Sequence, residues 1–368
     1  MFPIVVSSDI IGNDTSIMVN GKLSPFNDFD TEWIIGSKKE VCHSLEELLL
    51  IYDCPIPSLI PENLKKSYHL IYGNDVNWIN ALGNQRFAQH LRKFVEQIKE
   101  SISSIDNQSY FQELPKTRKV LTRLQPAKIN LENYSKLLEK SDAVNLKSFY
   151  PDFRGYASLS KYTLSTMTGR LTTLSGPKIL TLSQENREKI FQSRFDNGKI
   201  YIIDFVSLEP RVALLLNRDE TPFDIYHEMG ALTSLDISRT KLKISTISTL
   251  YGSGHVDKKL RKIIHEYFHL DKIHEKYLNK EKITNLFGRP LSPKEDYQKI
   301  SHFVQSTSVD IALRGFEILC EREIDLVPLF VIHDALVVDS PKILNEENPI
   351  EIEIEPLGKF YLTVKSLT

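Results

Sequence analysis

The sequence is poor in cysteine, nearly neutral in net charge and free of long apolar runs. Its 368 residues include three cysteines, 46 Lys or Arg and 48 Asp or Glu, which gives a net charge of -2. Cys42, Cys54 and Cys320 are scattered and odd in number, which argues against a disulfide framework and favours a reducing compartment. Because there is no overall positive field, a polyanionic partner would have to bind local basic patches.

Two further absences concern membranes and secretion. No apolar run approaches the roughly 20 residues that span a bilayer. The first residues, M-F-P-I-V-V-S-S-D, lack the basic start and apolar core of a signal peptide. We therefore expect a soluble protein of the cytoplasm with no membrane partner. The length and the 41% of hydrophobic residues allow two or three domains with a sizeable core.

Hydrophobic spacing predicts helices in the first half of the chain. Apolar residues recur at helical intervals over 84–105, and a second short helix is predicted over 131–140. The stretch between them at 116–128, K-T-R-K-V-L-T-R-L-Q-P-A-K, has basic residues but no acidic one. A solvated face is the ordinary explanation, and contact with a phosphate backbone is the alternative. Residues 1–80 have weak signals and are typical of a small α/β region.

Two carboxylates lie at the ends of apolar runs. The stretch I-Y-I-I-D-F-V-S-L-E-P-R places Asp204 after four apolar residues, and L-F-V-I and A-L-V-V flank the pair His333-Asp334. The second pattern is typical of a β-hairpin with His-Asp at its tip. Two such carboxylates repel each other unless a cation lies between them, and their hard oxygens suit Mg²⁺. For each Asp taken alone, a turn or a helix cap is the ordinary explanation.

A third pattern lies on the helix predicted from residue 239 onward. Its members recur every four residues and form a slowly winding stripe about 18 Å long: Arg239, Lys243, Ile247 and Tyr251. The cationic half suits the phosphates of a nucleoside triphosphate, and the apolar and aromatic half suits its base. From 239 to 262, seven Lys or Arg accompany one acid. An ordinary amphipathic helix with a basic end is the alternative.

Taken in order, these motifs resemble the signature motifs of family A DNA polymerases, the DNA polymerase I type. D-F-V-S-L-E-P-R resembles motif A, R-T-K-L-K-I-S-T-I-S-T-L-Y-G resembles motif B, and V-I-H-D-A-L-V-V-D resembles motif C. T-G-R-L at 168–171 resembles the segment before motif A. L-F-G-R at 286–289 and F-V-Q-S-T-S-V-D-I at 303–311 resemble segments between motifs B and C. I-E-I-E-I-E at 350–355, predicted as a half-buried strand with Ile inward, resembles the last palm strand. The resemblance covers residues 160–368. The chain looks like a divergent, shortened and phage-like member of this family.

The resemblance implies an α+β fold shaped as a polymerase right hand, with an antiparallel palm sheet, helical fingers and thumb, and a small N-terminal α/β region. The implied division of the chain is 1–83 for the N-terminal region without an assigned role, 84–160 for a thumb-like helical region, 161–237 for the palm with motif A, 238–285 for the fingers with motif B, and 286–368 for the palm with motif C and the last strand. It also implies a monomer, with an accessory replication protein as a further partner, in a bacterial or phage-infected cell.

The resemblance further implies roles for single residues. Asp204 and Asp334, helped by the backbone carbonyl of Phe205, would hold two Mg²⁺ ions, with Mn²⁺ as an alternative, and Lys243 would share in catalysis. The incoming dNTP would be bound by Arg239, Lys243, Ile247, Tyr251 and Glu209. The primer–template DNA would be contacted by Arg170, Gln305, His333 and Arg211. Glu209 is interpreted as a steric gate against a 2′-hydroxyl that pairs with Tyr251, with a metal ligand as the alternative.

Several positions depart from the family pattern. Ile247 replaces an aromatic residue, Ala335 an acidic residue, Tyr226 a histidine and Ser301 an asparagine. These departures leave the metal-binding aspartates in place and bear on speed, accuracy and nucleotide selectivity. Asp30-Thr31-Glu32 fits the start of a proofreading exonuclease, but too few residues follow for that domain. We therefore expect no proofreading activity.

Template-directed DNA synthesis is the predicted function, and two alternatives stay open. A single-subunit RNA polymerase shares the Lys, Tyr-Gly and His-Asp pattern but lacks the glutamate found here at Glu209. A polymerase-derived protein that binds primer–template without extending it is the other alternative. Retention of Asp204, Asp334, Arg239 and Lys243 argues against it. Whether the template is DNA or RNA is not indicated by the sequence.

Overall fold

The computed structural model describes four strands within the first 42 residues and most of the chain thereafter. The described ranges are 4–6, 17–19, 22–24, 33–35, 43–73, 76–140, 145–232, 237–253 and 255–367. The pattern Asp30-Thr31-Glu32 lies outside them. The chain divides into two compact units, Met1–Pro115 and Lys116–Thr368. This boundary lies inside the predicted thumb-like region 84–160, so the first helix of that region belongs to the first unit.

The first unit contains a mixed five-stranded sheet. Its strands are β1 (Ile4–Val6), β2 (Ile17–Val19), β3 (Lys22–Ser24), β4 (Trp33–Ile35) and β5 (His43–Ser44). The order is β3-β2-β1-β4-β5, with β1 antiparallel to β2 and parallel to β4. Together with the helices that follow, this sheet makes the unit a mixed α/β structure, in keeping with the prediction for residues 1–80.

Helices complete the first unit. They are α1 (Leu45–Ile51), α2 (Glu62–Tyr72), α3 (Trp78–Leu82), α4 (Asn84–Ser103) and the first turns of α5 (Tyr110–Thr122). Helix α4 is the helix predicted over 84–105, and its apolar stripe is buried at Phe87, Leu91, Phe94, Ile98 and Ile102. Burial of one face at helical spacing is what stabilises such a helix, since its other face is polar.

The second unit contains three short two-stranded ladders and most of the helices. The ladders pair β6 (Lys128–Ile129) with β9 (Phe191–Gln192), β7 (Lys161–Thr163) with β8 (Thr172–Ser175), and β11 (Ile283–Thr284) with β12 (Pro290–Leu291). The helices are α6 (Leu131–Lys140), α7 (Gln184–Ile190), α8 (Leu208–Leu215), α9 (Ile225–Leu232), α10 (Arg239–Leu250), α11 (Lys258–Phe268), α12 (Leu270–Ile273) and α13 (Gln298–Arg322). Across the described ranges, no helix has the length and apolar character needed to cross a membrane.

An antiparallel five-stranded sheet organises the second unit. Its strands are β10 (Lys199–Phe205), β13 (Val327–Ile332), β14 (Ala335–Ser340), β15 (Ile350–Ile354) and β16 (Gly358–Ser366). The order is β13-β14-β10-β16-β15, and every pairing is antiparallel. The long helix α13 packs on β15 and α8. Strand β10 therefore lies at the centre of the sheet with β14 beside it, and each of the two has a hydrogen-bonded neighbour on both sides.

The predicted hairpin is confirmed at residues 327–340. Ile332 pairs with Ala335, so His333 and Asp334 form a two-residue turn between β13 and β14. His333 adopts a positive φ of 54°, as the tight turns that join adjacent strands require. All six residues of β14 are buried. The carboxylate of Asp334 is therefore carried on a turn whose position is fixed by the packed strands on either side.

The alternating stretch at 350–355 forms a strand with its Ile side chains inward, as predicted, but it is not the last strand of the sheet. Ile352 and Ile354 are buried, whereas Glu351 and Glu353 are exposed. However, β15 is followed by β16, which inserts between β15 and β10. The alternating stretch is thus an edge strand and not the last strand of the sheet. Its polar outer face suits this position, because charged residues keep a sheet edge from pairing with other chains.

The basic stretch at 116–128 lies mostly in helix α5, and part of its charge is neutralised. Lys119 contacts Glu317 of α13 at 3.0 Å and also pairs with Glu321. Arg123 donates from Nε to both oxygens of the buried Glu317 carboxylate at 2.9 Å. These two cations tie residues 119–123 to α13, so they are not free to follow a phosphate backbone. The sequence could not show this, because the acidic partners lie about two hundred residues away in the chain.

Candidate active site

The two predicted metal-binding aspartates meet at one end of the central strands. Asp204 lies on β10 opposite Ala335, the first residue of β14. The backbone N–H of Phe205 donates to the carbonyl oxygen of Asp334 at 3.2 Å. Hydrogen-bonded backbone thus brings the two aspartates together at this end of the sheet.

The electrostatics of this pair are unfavourable without a cation. Desolvation, and then repulsion from Asp334, raise the pKa of Asp204 to about 7, and the charge of Lys243 partly opposes this shift. The Asp204 side chain still reaches solvent, but protein surrounds it closely enough to weaken its hydration. Desolvation also raises the pKa of Asp334, against the charges of His333, Lys243 and Arg170. The chain thus holds two carboxylates where a cation would stabilise both.

Helix α10 supplies the cationic side of the site. Ser238 caps its N-terminus by accepting from the Lys241 N–H at 3.3 Å. Lys243 is exposed, and its charge acts on both aspartates, so this face of α10 looks toward them. Further along the same helix, Ile247 is half-buried.

Arg239, at the start of α10, is held by two partners that the sequence did not reveal. Its Nε donates to Asp224 Oδ2 at 3.0 Å, and its guanidinium lies 5.4 Å from the centroid of the Tyr226 ring. The other oxygen of Asp224 accepts from the backbone N–H groups of Tyr226 and His227. An Asp just before a helix is the sequence signal for such a cap, but nothing in the sequence indicates its pairing with Arg239.

Glu209, Tyr251 and Arg170 form a hydrogen-bonded triad. Tyr251 Oη donates to Glu209 Oε2 at 2.8 Å, and Arg170 Nη2 donates to Glu209 Oε1 at 3.0 Å and to Tyr251 Oη at 2.9 Å. Burial, and then the Glu209 charge, raise the pKa of Tyr251 to about 12. Ser207, in a left-handed conformation with φ 52° and ψ 50°, precedes α8 and places Glu209 in its first turn. The pairing of Glu209 with Tyr251 expected from the sequence is present, and Arg170 bridges it.

A pocket adjoins this triad and gathers residues from four parts of the chain. It is lined by Arg170, Leu171, Leu208, Glu209, Gln305, Ser308, Val309, Ala312, Leu313, His333 and Asp334. Five of these are predicted site residues, and their roles stay predictions. Gln305 is half-buried on α13. Ser308 was not singled out by the sequence, because a serine in a long helix gives no signal of its own.

Arg211 does not fit its predicted contact with primer–template DNA. Its side chain is 0% exposed. Nη1 donates to the carbonyl of Pro222 at 3.0 Å and also to the hydroxyl of Thr221, and Nη2 donates to the carbonyl of Phe223 at 2.8 Å. The guanidinium also lies 4.9 Å from the centroid of the Tyr361 ring. A buried arginine saturated by internal acceptors has a structural role, because exposing it to DNA would break the loop that it holds.

The donor set is compatible with a hard cation that also binds a ligand. No group of three or more His, Cys, Asp or Glu side chains suited to a metal ion occurs among the described residues. Asp204 and Asp334 therefore offer two carboxylates, and the Phe205 carbonyl stays a predicted third donor. Mg²⁺ commonly takes one or two carboxylates and completes its shell with water and substrate phosphates. The two carboxylates thus fit a hard divalent cation such as Mg²⁺.

Comparison with known proteins gives a match at the level of the fold. No protein-family model and no curated protein matches the chain. Among solved structures, the chain is similar to the POL domain of Pol1 from M. smegmatis, determined in complex with DNA primer–template and dNTP. The TM-score is 0.51 at 10% sequence identity, over 82% of this chain and 76% of that one. The chain has the fold of a DNA polymerase domain. At this identity the likeness concerns the fold alone, and it confirms the polymerase fold expected from the motifs.

Proposed function

We propose that the chain is a template-directed DNA polymerase that adds dNTPs to the 3′-hydroxyl of a primer. The observation that carries this proposal is the meeting of Asp204 with Asp334 beside a pocket lined by Arg170, Glu209 and Gln305. A polymerase-domain fold supports it, and the similar structure was determined with primer–template DNA and dNTP. Under this proposal the five-stranded antiparallel sheet belongs to the palm, α10 and α11 belong to the fingers, and residues 84–160 form the thumb-like region.

Asp204 and Asp334, with the carbonyl of Phe205, would hold two Mg²⁺ ions, or Mn²⁺ in their place. When bound, the metal ions would stabilise negative charge on the attacking and leaving oxygens of a phosphoryl transfer. The raised pKa of Asp204, caused first by desolvation and then by repulsion from Asp334, supports this assignment, because a bound cation would stabilise the ionised carboxylate.

The cations of α10 would bind and stabilise the triphosphate. In the transfer, the primer 3′-hydroxyl loses its proton to water, a bond forms between its oxygen and the α-phosphorus, and the bond from that phosphorus to pyrophosphate breaks. Lys243 would donate a proton to the leaving pyrophosphate, and Arg239 would balance its charge. The Lys243 charge already acts at the two aspartates, which supports placing the reacting phosphate between them. Ile247 and Tyr251 would lie against the base.

The triad of Glu209, Tyr251 and Arg170 would select the sugar and meet the primer end. A carboxylate held by two donors is a rigid obstacle, so Glu209 would exclude a 2′-hydroxyl sterically. Gln305 and His333, with Arg170, would contact the primer–template at the adjoining pocket. We also propose that proofreading is absent. The candidate exonuclease pattern is D-T-E at 30–32, and too few residues follow it to form an exonuclease domain.

A primer-extension assay tests the proposal. Wild-type protein with a labelled primer should extend it with dNTPs and Mg²⁺, on a DNA or an RNA template, while Asp204→Asn should not. Extension with NTPs alone would favour an RNA polymerase. Binding of primer–template without extension under any metal would favour the non-catalytic alternative and contradict the proposed function.

A further inference from the structure

Arg289 is a buried arginine in the loop between β11 and β12, and it holds a distant turn of the chain. The residue is 2% exposed. Its Nη2 donates to the carbonyl oxygens of Leu164 at 2.5 Å and of Thr166 at 2.7 Å. Both carbonyls belong to the turn at 164–171, which joins β7 to β8 and carries Arg170. Because a buried guanidinium is costly unless acceptors surround it, this contact stabilises the turn in one position.

Gly169 shows how closely this turn packs on Arg289. It has a φ of 76°, and a Cβ at this position would lie 3.1 Å from Arg289 Cζ. The Gly169 N–H also closes the turn by donating to the Thr166 carbonyl at 2.9 Å. A larger residue would press on the guanidinium and would also strain the backbone. The position of Arg289 and the conformation of the turn therefore depend on each other.

The loop that carries Arg289 is itself fixed to helix α13 by Asn285. Asn285 Oδ1 accepts from the backbone N–H groups of Phe287 at 3.0 Å and of Arg289 at 2.9 Å. Its Nδ2 donates to Ser306 Oγ at 3.0 Å and to Asp310 Oδ2 at 2.7 Å. Asn285, Ser306 and Asp310 are all buried. Buried hydrogen bonds of this kind hold the loop in one position on the helix.

On its other side, the turn leads to Glu209 and Tyr251 of the candidate site. Arg170 directly follows Gly169, and its backbone carbonyl accepts from Thr166 Oγ1 at 2.8 Å. The Arg170 side chain then donates to both Glu209 and Tyr251. This side chain is long and 49% exposed, so bridging two partners costs it conformational entropy. A fixed backbone at Arg170 is therefore needed for both contacts to persist.

We propose that Arg289 is a positioning residue for nucleotide selection, which acts through Arg170. The contacts run from α13 through Asn285 and Arg289 to the turn, and from the turn through Arg170 to Glu209 and Tyr251. The inference rests on the proposed function, which assigns this triad to the sugar of the incoming nucleotide. When Arg289 no longer holds the turn, Arg170 loses its place beside Glu209. The carboxylate then moves more freely and excludes a 2′-hydroxyl less strictly.

The test disturbs the contact from each of its two sides. Arg289→Lys keeps the positive charge but replaces the planar guanidinium with a single ammonium, which does not reproduce its geometry. Gly169→Ala leaves Arg289 in place and adds a methyl group against the guanidinium. If Arg289→Lys does not fold, Gly169→Ala provides the same test from the turn.

Each variant has a matched control elsewhere in the chain. Arg194→Lys controls for the loss of a guanidinium, since Arg194 donates to the Pro126 carbonyl at 2.8 Å and pairs with the buried Asp339. Asp339 lies toward the opposite end of β14 from Asp334. Gly73→Ala controls for backbone strain, because Gly73 also has a φ of 76°, and among the described residues no atom lies within 4 Å of a Cβ there.

In single-nucleotide extension opposite template G, Arg289→Lys and Gly169→Ala should each lower the ratio of kcat/KM for dCTP over CTP by roughly threefold to fivefold. The change should come mainly from a lower KM for CTP, whereas a general loss of stability would lower kcat for both nucleotides alike. The two controls should keep the wild-type ratio. Arg170→Ala should lower the ratio by a similar factor, and Arg289→Lys should add little in that background.

Two kinetic outcomes would overturn the inference. An unchanged ratio in the folded Arg289→Lys variant, or in Gly169→Ala where it replaces that variant, would show that the turn does not control selection. An equal further loss from Arg289→Lys in the Arg170→Ala background would show that Arg289 does not act through Arg170.

Amide hydrogen exchange without substrate separates this inference from the proposed function. An arginine with only a local structural role would protect the turn at 164–171 and nothing beyond it. If Arg289 acts through Arg170, Arg289→Lys should also speed exchange at 247–252, where the Tyr251 N–H donates to the Ile247 carbonyl. This second effect should vanish in the Arg170→Ala background.

A wild type that binds primer–template but never extends it would contradict the proposed function, and exchange at 247–252 would still test the link from Arg289 to Tyr251. Unchanged exchange at 247–252 in Arg289→Lys would show that the influence of Arg289 ends at the turn. The inference would then be wrong even for an active polymerase.

Discussion

The two sides of the candidate site are built from different kinds of structure. Asp204 and Asp334 are short side chains on paired, packed strands and their turn. Arg239 and Lys243 are long, largely exposed side chains on helix α10. Metal ligands must be held to within about half an ångström, whereas a cation that binds phosphate acts over a longer range. The strand side therefore suits precise metal coordination, and the helix side suits adaptable charge.

The first prediction concerns the two aspartates on the strand side of the site. Asp204→Ala and Asp334→Ala should each lower primer extension by at least about 10³-fold, because loss of a metal ligand removes several kcal/mol of charge stabilisation. Affinity for primer–template, measured by anisotropy, should stay near the wild-type value. Primer extension at a wild-type rate by either variant would show that the substituted aspartate is not an essential metal ligand.

The second prediction concerns the two cations on helix α10. Lys243→Ala should reduce kcat/KM for dNTP by roughly tenfold to a hundredfold, the value of a charge-assisted phosphate contact. Arg239→Ala should cost less, because Arg239 must first leave Asp224 and the Tyr226 ring to reach a phosphate. Single-turnover kinetics over a range of dNTP concentrations measure both. A fall in DNA affinity without a fall in dNTP affinity would show that these cations follow the template instead.

The third prediction concerns the junction between the two sides, where Glu209 of α8 meets Tyr251 at the end of α10. Glu209→Ala removes the carboxylate that both Tyr251 and Arg170 contact. It should lower the ratio of kcat/KM for dCTP over CTP opposite template G by about tenfold, and overall activity should also fall. Glu209→Gln keeps the bulk and an acceptor, so it should change the ratio less. An unchanged ratio in Glu209→Ala would place sugar selection elsewhere.

The strand side was also the more predictable from sequence. Apolar runs that end on Asp204 and on His333-Asp334 predict strand ends and a hairpin, since turn geometry and burial are local constraints. The partners of the arginines were not predictable. Arg211 and Arg170 read alike as basic residues near a motif, yet one is saturated by buried carbonyls and the other bridges Glu209 and Tyr251. Long side chains can choose among distant acceptors, and only the fold determines which they reach.

The same limit applies to α13. The sequence predicts a helix over about 295–321, and the observed helix spans Gln298–Arg322. Within this helix, Ser306 accepts from Asn285 and Thr307 accepts from the Leu286 N–H. Which hydroxyl meets that loop depends on how distant parts of the chain pack, and the local sequence does not indicate it. A run of small polar residues in a buried helix therefore does not show whether the hydroxyls bind carbonyls of their own helix, as Thr246 and Ser301 do, or groups of a packed loop.

The smallest expected effect is on thermal stability. It depends on the raised pKa of Asp204 and can be measured without any substrate. The folded-state pKa of Asp204, about 7, lies above its ordinary value of 3.8. Between these values the folded protein holds a proton that the unfolded chain has lost. The resulting stabilisation is therefore complete below about pH 4 and is lost as the pH rises through 7. In the absence of metal, Asp204→Asn should thus melt above the wild type at pH 8.5, and this gap should shrink at pH 5.5.

Because Asp204 is partly exposed, the gap at pH 8.5 should be modest, on the order of 2–4 °C in Tm. Thermal melts in a chelator at the two pH values measure it. Asp219→Asn, which removes an exposed carboxylate from the loop after α8, controls for the loss of one charge. Added Mg²⁺ should then raise the Tm of the wild type at pH 8.5 but not that of Asp204→Asn, because the cation stabilises the ionised pair. A gap that is the same at both pH values would mean that the pKa of Asp204 is not raised in the folded protein, and the strand side of the site would lose its electrostatic reason to bind metal.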